Sequence, residues 1–180
     1  MTSDNPDRLD SVVTACHTTP IGRLTLAASE QALLYCGFAP SEQLLRLLAP
    51  VCRTTTDEAA APAGSAAALV LERTRAQLDA YLDGRRRGFE LPVDMRLATP
   101  FRREVVLAVD TLAPYGATTT YGALAAGIGR PGAARAVGTA LGANPLCVVL
   151  PCHRVVGAAG KFTGYAGGAH AKQFLIDLES

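Results

Sequence analysis

The sequence predicts two small domains: an α/β domain built on a small sheet with helices, and then a mostly α-helical domain. Three observations favour this arrangement of the 180 residues. Short apolar segments separated by turn residues come first, leucines at helical spacing follow, and the second half carries the caps and glycines typical of short helices. We place the α/β domain at residues 1–93 and the helical domain at residues 94–180, and we expect the polar residues 1–10 to be disordered.

The first domain is expected to contain a three-stranded meander, two helices and a last strand. The predicted strands cover residues 12–14, 21–26, 33–38 and 89–93, and the predicted helices cover residues 41–48 and 67–82. Ser41 is the expected N-cap of the first helix. Residues 54–65 are rich in Ala, Thr and Pro, so we predict a loop there. The arginines at 85–87 have two interpretations, a DNA-binding patch or a solvated turn, and we favour the second.

The second domain is predicted to consist of short, well-capped helices. Thr99 and Thr120 are the expected N-caps of its first two helices, and Pro100 suits the first helical position. Further helices are predicted over residues 132–141 and 169–179. The second and third helices form a candidate helix-turn-helix, although a glycine turn between two helices is common in α-helical domains and is weak support by itself.

Composition and charge narrow the range of functions. No apolar run approaches the roughly 18 residues that span a bilayer, and the polar N-terminus lacks the pattern of a secretory signal, so we expect a cytoplasmic protein. The five cysteines form no CxxC pair, which argues against a zinc ribbon or a thioredoxin-like site and predicts free thiols. Residues 1–96 hold 10 basic and 12 acidic side chains, and residues 97–180 hold 7 and 4, so the C-terminal half would attract a polyanion.

Cys152 lies in the segment richest in reactive groups. An apolar stretch over residues 146–150, predicted as a buried strand, leads into Pro151 and then into Cys152, His153 and Arg154. Polar groups beside a buried strand are costly unless they have partners, so we expect a site here. The thiolate is the reactive form of cysteine, and a neighbouring base or cation raises its population. The pattern therefore predicts a cysteine nucleophile.

His153 is the candidate base for this nucleophile. Because adjacent side chains rarely face each other along an extended chain, we expect His153 to act on Cys152 through a water molecule. A carboxylate on the other ring nitrogen would orient the imidazole, and the last predicted helix offers both Asp177 and Glu179. For Arg154 we favour a structural ion pair over contact with substrate.

The segment from Pro151 to Val156, with the run from Gly164 to Gly168, resembles the active-site signature of the methylated-DNA–protein-cysteine methyltransferases, the O6-alkylguanine-DNA alkyltransferases. The similarity covers residues 99–180 in order and spacing and is weaker in the N-terminal part. The further matching positions are Thr99-Pro100-Phe101, Thr120-Tyr121, the run from Ala133 to Gly138, Asn144-Pro145, Lys172 and Glu179.

The resemblance implies a fold and an activity. The N-terminal domain would be ribonuclease-H-like, and the C-terminal domain would be winged-helix-like with a helix-turn-helix. The activity would be DNA repair by irreversible, single-turnover transfer of an alkyl group from O6-alkylguanine in duplex DNA to Cys152, with the target base flipped out of the stack. The size of the alkyl group and the acceptance of O4-alkylthymine stay open. No cofactor is implied.

The resemblance also implies the residues of the catalytic site. Cys152 would accept the alkyl group, His153 would be the base acting through water, and Glu179 would be its carboxylate partner. Tyr121 would donate a hydrogen bond towards guanine N3, and Asn144 would brace the turn before the reactive cysteine.

The implied DNA and pocket residues complete this set. Arg135 would fill the gap left by the flipped nucleotide, from a helix whose small residues, among them Ala134 and Gly138, permit close approach to the minor groove. The pocket would be lined by Tyr165, the Ala166 N–H, the Val155 carbonyl and Cys147, a position where proline is common in the family. Ser29 and Leu34 stand where some relatives bind zinc, so no metal is expected. The partner would be double-stranded DNA, and we expect a monomer that binds no membrane.

Two other functions fit parts of the pattern. One is a non-catalytic winged-helix DNA-binding module in which Cys152 is inert. The other is a cysteine hydrolase or peroxidase that uses the Cys152–His153 pair; a hydrolase would turn over, and a peroxidase would form a sulfenic acid. Mass analysis after exposure to DNA that contains O6-methylguanine separates the three.

Overall fold

The N-terminal domain is a four-stranded sheet with one helix on each face. The computed structural model describes residues 8–160 and 164–180. The elements are β1 (Leu9–Thr19), β2 (Gly22–Ala28), β3 (Leu33–Gly37), α1 (Ser41–Leu48), β4 (Cys52–Asp57) and α2 (Ala66–Leu82). The strand order is β3-β2-β1-β4, with β1, β2 and β3 antiparallel and β4 parallel to β1.

Alternation along the strands gives the sheet two apolar faces. On β1, Val12 points to the face covered by α1, where it packs with Leu44 and Leu48. Val13 points to the opposite face and joins the larger core with Leu71 of α2. Successive side chains of a strand point to opposite faces, so the adjacent residues Val12 and Val13 belong to different cores. The larger core continues into the C-terminal domain, where it includes Leu146 and Cys152 of the reactive segment.

The C-terminal domain is helical, as the sequence predicts. Its elements are α3 (Pro100–Leu112), β5 (Thr119–Thr120), α4 (Tyr121–Gly127), α5 (Ala134–Gly142), β6 (Val155–Val156) and α6 (Gly168–Glu179). The capping predictions are confirmed: the Thr99 side chain accepts from the Arg102 N–H at 3.3 Å, and the Thr120 side chain accepts from the Ala123 N–H at 3.1 Å. Each cap satisfies one backbone donor that the first turn leaves unpaired.

Several predicted elements and boundaries differ from those in the structure. The predicted loop over residues 54–65 begins as β4, whose partner β1 is distant in sequence and was not visible locally. The predicted strand at 89–93 is reduced to a single bridge from Val93 to Leu33. The cap of α1 is Pro40, not Ser41. Helix α5 begins at Ala134, two residues after the predicted start.

The prediction of disorder is wrong at residues 8–10. Residues 9 and 10 belong to β1, and the Arg8 guanidinium donates to the backbone carbonyls of Ala49, at 2.9 Å, and Cys52. Ordering follows from these contacts, because they tie the start of the strand to β4. The remainder of the predicted leader lies outside the described residues.

The predicted buried strand at 146–150 is a tight turn. The Val149 N–H donates to the Cys147 carbonyl at 2.9 Å, and the Leu150 N–H donates to the Leu146 carbonyl at 2.8 Å. Val148 takes a left-handed conformation with φ of 71°, which costs an L-residue roughly 1–2 kcal/mol. A short apolar run reads the same way in a buried strand and in a buried turn, so periodicity could not distinguish them.

Candidate active site

The turn before the reactive cysteine is held by one amide side chain. Asn144 Nδ2 donates to the Leu150 carbonyl at 3.1 Å and to Cys152 Sγ at 3.1 Å, while its Oδ1 accepts from the Leu146 N–H at 3.0 Å. Both ends of the turn and the thiol are therefore fixed to a single buried group. The expected bracing position of Asn144 agrees with this geometry, and the structure adds a direct contact with sulfur.

Cys152 is buried, with 5% of its surface exposed, and its surroundings favour the thiolate. Its pKa lies below the usual thiol value mainly because the Cys147 thiol hydrogen-bonds to it, and Asn144 and the charge on Lys172 add to the effect against the cost of burial. The pKa of Cys147 is raised in turn by the same contact. Cys147 thus stands beside the nucleophile and acts on its protonation, a role that the sequence did not indicate.

His153 and Glu179 form a fully enclosed pair. His153 Nε2 lies 2.6 Å from Glu179 Oε1, and neither side chain has more than 2% of its surface exposed. Burial lowers the pKa of His153 in spite of the carboxylate, so the imidazole is held neutral. Its Nδ1 has no hydrogen-bond partner among the described residues. A neutral imidazole with one nitrogen on a carboxylate and the other unengaged is the arrangement a general base requires.

Glu179 receives four donors from three parts of the chain. Its Oε1 accepts from His153 and from the Tyr81 hydroxyl, and its Oε2 accepts from Arg154 Nε at 2.7 Å and from the Gly116 N–H at 3.3 Å. Burial alone would raise the pKa of this carboxyl, but the hydrogen bonds from His153, Arg154 and Tyr81 hold it at about 2. The sequence left Asp177 and Glu179 open; Asp177 is exposed and contacts Gln173 instead.

Arg154 makes the structural ion pair that the sequence favoured. Besides Glu179, its guanidinium contacts Asp110 Oδ1 at 2.7 Å and the Ala113 carbonyl at 3.1 Å. These bonds join the reactive segment to both α3 and α6. The interpretation of Arg154 as an ion pair is confirmed.

Of the expected pocket residues, two line a cavity, one packs against an aromatic ring and one offers a backbone carbonyl. Cys147 and Ala166 line a cavity of about 420 Å³ that extends to Phe38 in the N-terminal domain. Tyr165 packs edge-on against Phe38, with ring centres 5.8 Å apart, and its buried hydroxyl has no partner among the described residues. The Val155 carbonyl already accepts a hydrogen bond from Lys172 Nζ. A carbonyl has two lone pairs, so this bond leaves one for a further donor.

The expected DNA-facing residues share one helix and its neighbour. Arg135 is exposed on α5, whereas Val137 on the same helix is fully buried. A Cβ added at Gly138 would lie 3.6 Å from the Tyr121 ring, an ordinary van der Waals distance, so α5 packs beside this ring at Gly138. Tyr121 follows directly after β5, which pairs in parallel with β6 just beyond Arg154. That pairing brings α4 and α5 next to the reactive turn.

Sequence reasoning missed three residues at this site. Tyr81 bonds Glu179, Asp110 bonds Arg154, and Lys172 bonds the Val155 carbonyl. Lys172 was noted as a matching position without a role, and its burial is a signal that only the fold reveals. Tyr81 and Asp110 lie in helices whose apolar pattern indicates packing alone.

A small sheet domain joined to a helical domain, which holds a buried Cys–His–Glu site against Tyr81 of the sheet domain, defines a class of two-domain thiol proteins. Comparisons with known proteins agree. Residues 12–95 match the family described as "6-O-methylguanine DNA methyltransferase, ribonuclease-like domain", and residues 100–180 match its DNA binding domain. The chain belongs to the 6-O-methylguanine DNA methyltransferase family.

Named relatives support the same assignment. A methylated-DNA–protein-cysteine methyltransferase of Methanosarcina acetivorans is 39% identical over 92% of this chain and 96% of its own length. The protein of that name in Mycolicibacterium paratuberculosis is 52% identical, and the alignment covers 57% of this chain and 61% of the relative. The crystal structure of the Mycobacterium tuberculosis O6-methylguanine methyltransferase shares 38% identity and a TM-score of 0.74 over 93% of this chain and 92% of its own. A DNA complex from the same organism is 37% identical.

Within residues 8–160 and 164–180, no helix is both long and apolar enough to cross a membrane. All five cysteines are free thiols, as predicted.

Proposed function

We propose that this protein repairs DNA by transferring the alkyl group of O6-alkylguanine in duplex DNA to Cys152, once and irreversibly. The observation that carries the proposal is the hydrogen-bonded Cys152 thiol next to the buried His153–Glu179 pair. Family membership and the DNA complex of the mycobacterial relative support DNA as the partner. The protein would act as a cytoplasmic monomer without a cofactor. Its two domains would comprise residues 1–93 and 94–180.

The residues support an in-line displacement. His153 would take the Cys152 proton through a water molecule, and Sγ would attack the alkyl carbon on O6. The S–C bond forms as the C–O6 bond breaks, and the electron pair of the broken C–O6 bond stays on the guanine. Tyr121 would donate a hydrogen bond at N3 to stabilise the departing guanine anion. Because a thioether has no ready route back to a thiol, each molecule would act once.

Access to the alkyl carbon requires an extruded base. O6 is buried in the stack of a duplex, so the nucleotide must leave it and something must fill the space. Arg135 is exposed on α5 and long enough for that purpose, and Ala134 and Gly138 would allow the helix to approach the minor groove closely. The flipped base would lie against Tyr165, Val155 and the Ala166 N–H, and Cys147 would form the wall towards the 420 Å³ cavity.

Intact-mass analysis tests the function directly. After incubation with a duplex that carries O6-methylguanine, the protein should gain one CH₂ unit, a methyl group in place of the thiol proton, mapped to Cys152. Cys152→Ala should show no gain. Cys52→Ala, which removes a buried thiol from the other face of the sheet, should react as the unmodified protein does. DNA binding without a mass gain would leave a non-catalytic module, and a peroxide-dependent sulfenic acid would favour a peroxidase.

Replacing Arg135 tests the gap-filling role. Arg135→Ala should slow repair in duplex DNA by about tenfold, because unstacking the base would no longer be compensated. Affinity for undamaged duplex should fall by less than about threefold, since one phosphate contact at most is lost. Arg130→Ala is the matched control, because Arg130 lies in the preceding turn and pairs with Glu104 at 3.1 Å. An equal loss with single-stranded substrate would contradict the role.

A further inference from the structure

We propose that Tyr81 is a positioning residue for the transfer reaction: its hydroxyl, supplied by the N-terminal domain, fixes the carboxylate of Glu179 that orients His153. The proposal rests on the proposed function and assigns the N-terminal domain a direct part in it. Tyr81 lies on α2 and is separated from Glu179 by 98 positions in sequence, yet its hydroxyl donates to Glu179 Oε1.

The hydroxyl and the imidazole meet at one oxygen atom. His153 Nε2 lies 2.6 Å from the same Oε1 that accepts from Tyr81. Any change in electron density on this oxygen is therefore felt directly by the imidazole. The second carboxylate oxygen is occupied by Arg154 and the Gly116 N–H, so Glu179 cannot rotate to compensate for a lost donor without breaking those bonds.

Packing holds the tyrosine ring in place. Tyr81 is 1% exposed. Its ring lies 4.9 Å from the ring of Phe89 and 6.3 Å from that of Tyr115, which meets it edge-on at 88°. A ring confined between two others loses little further freedom when its hydroxyl bonds, so the donor is preorganised. Burial and the Glu179 charge raise the pKa of Tyr81, which keeps the hydroxyl protonated and donating.

The Tyr81 hydroxyl is a neutral donor, so it reduces the basicity of the Glu179 carboxylate without removing its charge. A hydrogen bond to the charged form disperses its charge and weakens its pull on a neighbouring proton. Removing the Tyr81 hydroxyl should therefore raise the pKa of His153 and keep more of the imidazole protonated at a given pH. A protonated imidazole cannot accept the Cys152 proton, so transfer should lose rate on the acid side of its pH profile.

The other charged groups around His153 stay unchanged in this comparison. Arg154 and Lys172 both lower the pKa of His153, and Glu179 raises it. Asp110 faces Arg154 from α3, and Cys152 adjoins the imidazole in sequence. Of these groups, Glu179 accepts from the Tyr81 hydroxyl, and Arg154, which donates to the other oxygen of the same carboxylate, also contacts that hydroxyl. A shift of the pH profile in Tyr81→Phe can then be referred to the Glu179 carboxylate, with its Arg154 partner, acting on His153.

Tyr115 provides a matched control. Its ring packs against Tyr81, and its hydroxyl donates at 3.3 Å to the carbonyl of Leu178, the residue before Glu179. Tyr115→Phe removes the same atom from the same aromatic cluster and the same helix contact, but it does not touch the carboxylate. A purely structural role for both hydroxyls would give the two variants similar behaviour.

The test is the single-turnover rate of methyl transfer from an O6-methylguanine duplex, measured between about pH 5 and pH 9. In Tyr81→Phe the acid limb should move to higher pH by about half a unit or more, about a threefold loss of rate on that limb, with the alkaline plateau within about twofold. Tyr115→Phe should keep the unmodified profile. Equal shifts in both variants, or no shift in either, would overturn the proposal. Absence of transfer in the unmodified protein would instead contradict the proposed function.

A measurement on the unmodified protein guards against a variant that fails to fold. Proton NMR should reveal a slowly exchanging tyrosine hydroxyl with a cross-relaxation peak to the His153 ring, because both donors sit on one buried oxygen. The signal should vanish in Tyr81→Phe and persist in Tyr115→Phe. Rapid exchange of every tyrosine hydroxyl would contradict the fixed hydrogen bond.

Discussion

Replacing Glu179 with glutamine is expected to slow alkyl transfer by about 100-fold or more, because general base catalysis by a positioned imidazole contributes at least that much. Glutamine keeps the size of the side chain but loses the charge that orients His153 at 2.6 Å. It also presents an amide group to Arg154, Tyr81 and the Gly116 N–H, which are all donors. Affinity for undamaged duplex should stay within about twofold, since Glu179 is a buried acid and offers no contact to a phosphate.

The measurement is the single-turnover rate together with a duplex-binding titration at fixed salt. Asp177→Asn is the matched control: it removes a carboxylate two residues earlier on the same helix, from an exposed position where it bonds only Gln173 among the contacts described. That variant should transfer at the unmodified rate. Parallel losses of transfer and of DNA binding in Glu179→Gln would mean that Glu179 maintains the fold and has no role in the chemistry.

Acid should destabilise the folded protein through Glu179 and His153. The Glu179 pKa lies at about 2 in the fold against 4.5 for an unperturbed group, so the carboxylate contributes about 3 kcal/mol above pH 4.5, which is lost as pH falls towards 2. The pKa of His153 is also lowered, from 6.5. The neutral imidazole therefore adds stability above that pH, and this contribution too is lost on acidification. Both groups act in the same direction.

Urea unfolding at several pH values between about 7.5 and 3 checks this expectation. The free energy of unfolding of the unmodified protein should fall continuously over that range. Glu179→Gln should start lower and show a smaller further loss below about pH 4.5, because its side chain no longer titrates. Asp177→Asn should follow the unmodified protein. Identical pH slopes for Glu179→Gln and the unmodified chain would show that Glu179 does not carry the acid sensitivity.

Local signals in the sequence were sufficient for much of the fold and for the reactive residues. Helix caps such as Thr99 and Thr120 act within one turn, so they can be read without knowledge of the rest of the chain. Strand β4 is different, since its exposed Arg53 and Thr54 give it no apolar alternation, and only the pairing with β1 makes it a strand. The turn at 146–150 was predicted as a strand because a short apolar run has the same pattern in a buried strand and in a buried turn.

At the candidate site, too, local sequence identifies some residues, and others are recognised only through contacts between distant parts of the chain. Cys152, His153 and Arg154 are consecutive, and their chemistry is visible in the order of letters. Choosing Glu179 over Asp177 required the family resemblance or the helix orientation. The Tyr81 contact was beyond sequence reasoning, since a buried tyrosine at helical spacing indicates core packing until the fold brings it to a residue 98 positions away.

The backbone around Cys36 has a consequence for solubility. Strand β3 is one of the two edges of the sheet, and an unpaired edge is a template for pairing with another chain. Here the Cys36 N–H donates to the Pro145 carbonyl at 2.8 Å, and the Cys36 carbonyl accepts from the Cys147 N–H at 2.7 Å. The reactive turn therefore blocks the open edge of the sheet. Any opening that frees this turn would also uncover a strand prone to intermolecular association, so self-aggregation should accompany loss of the active geometry.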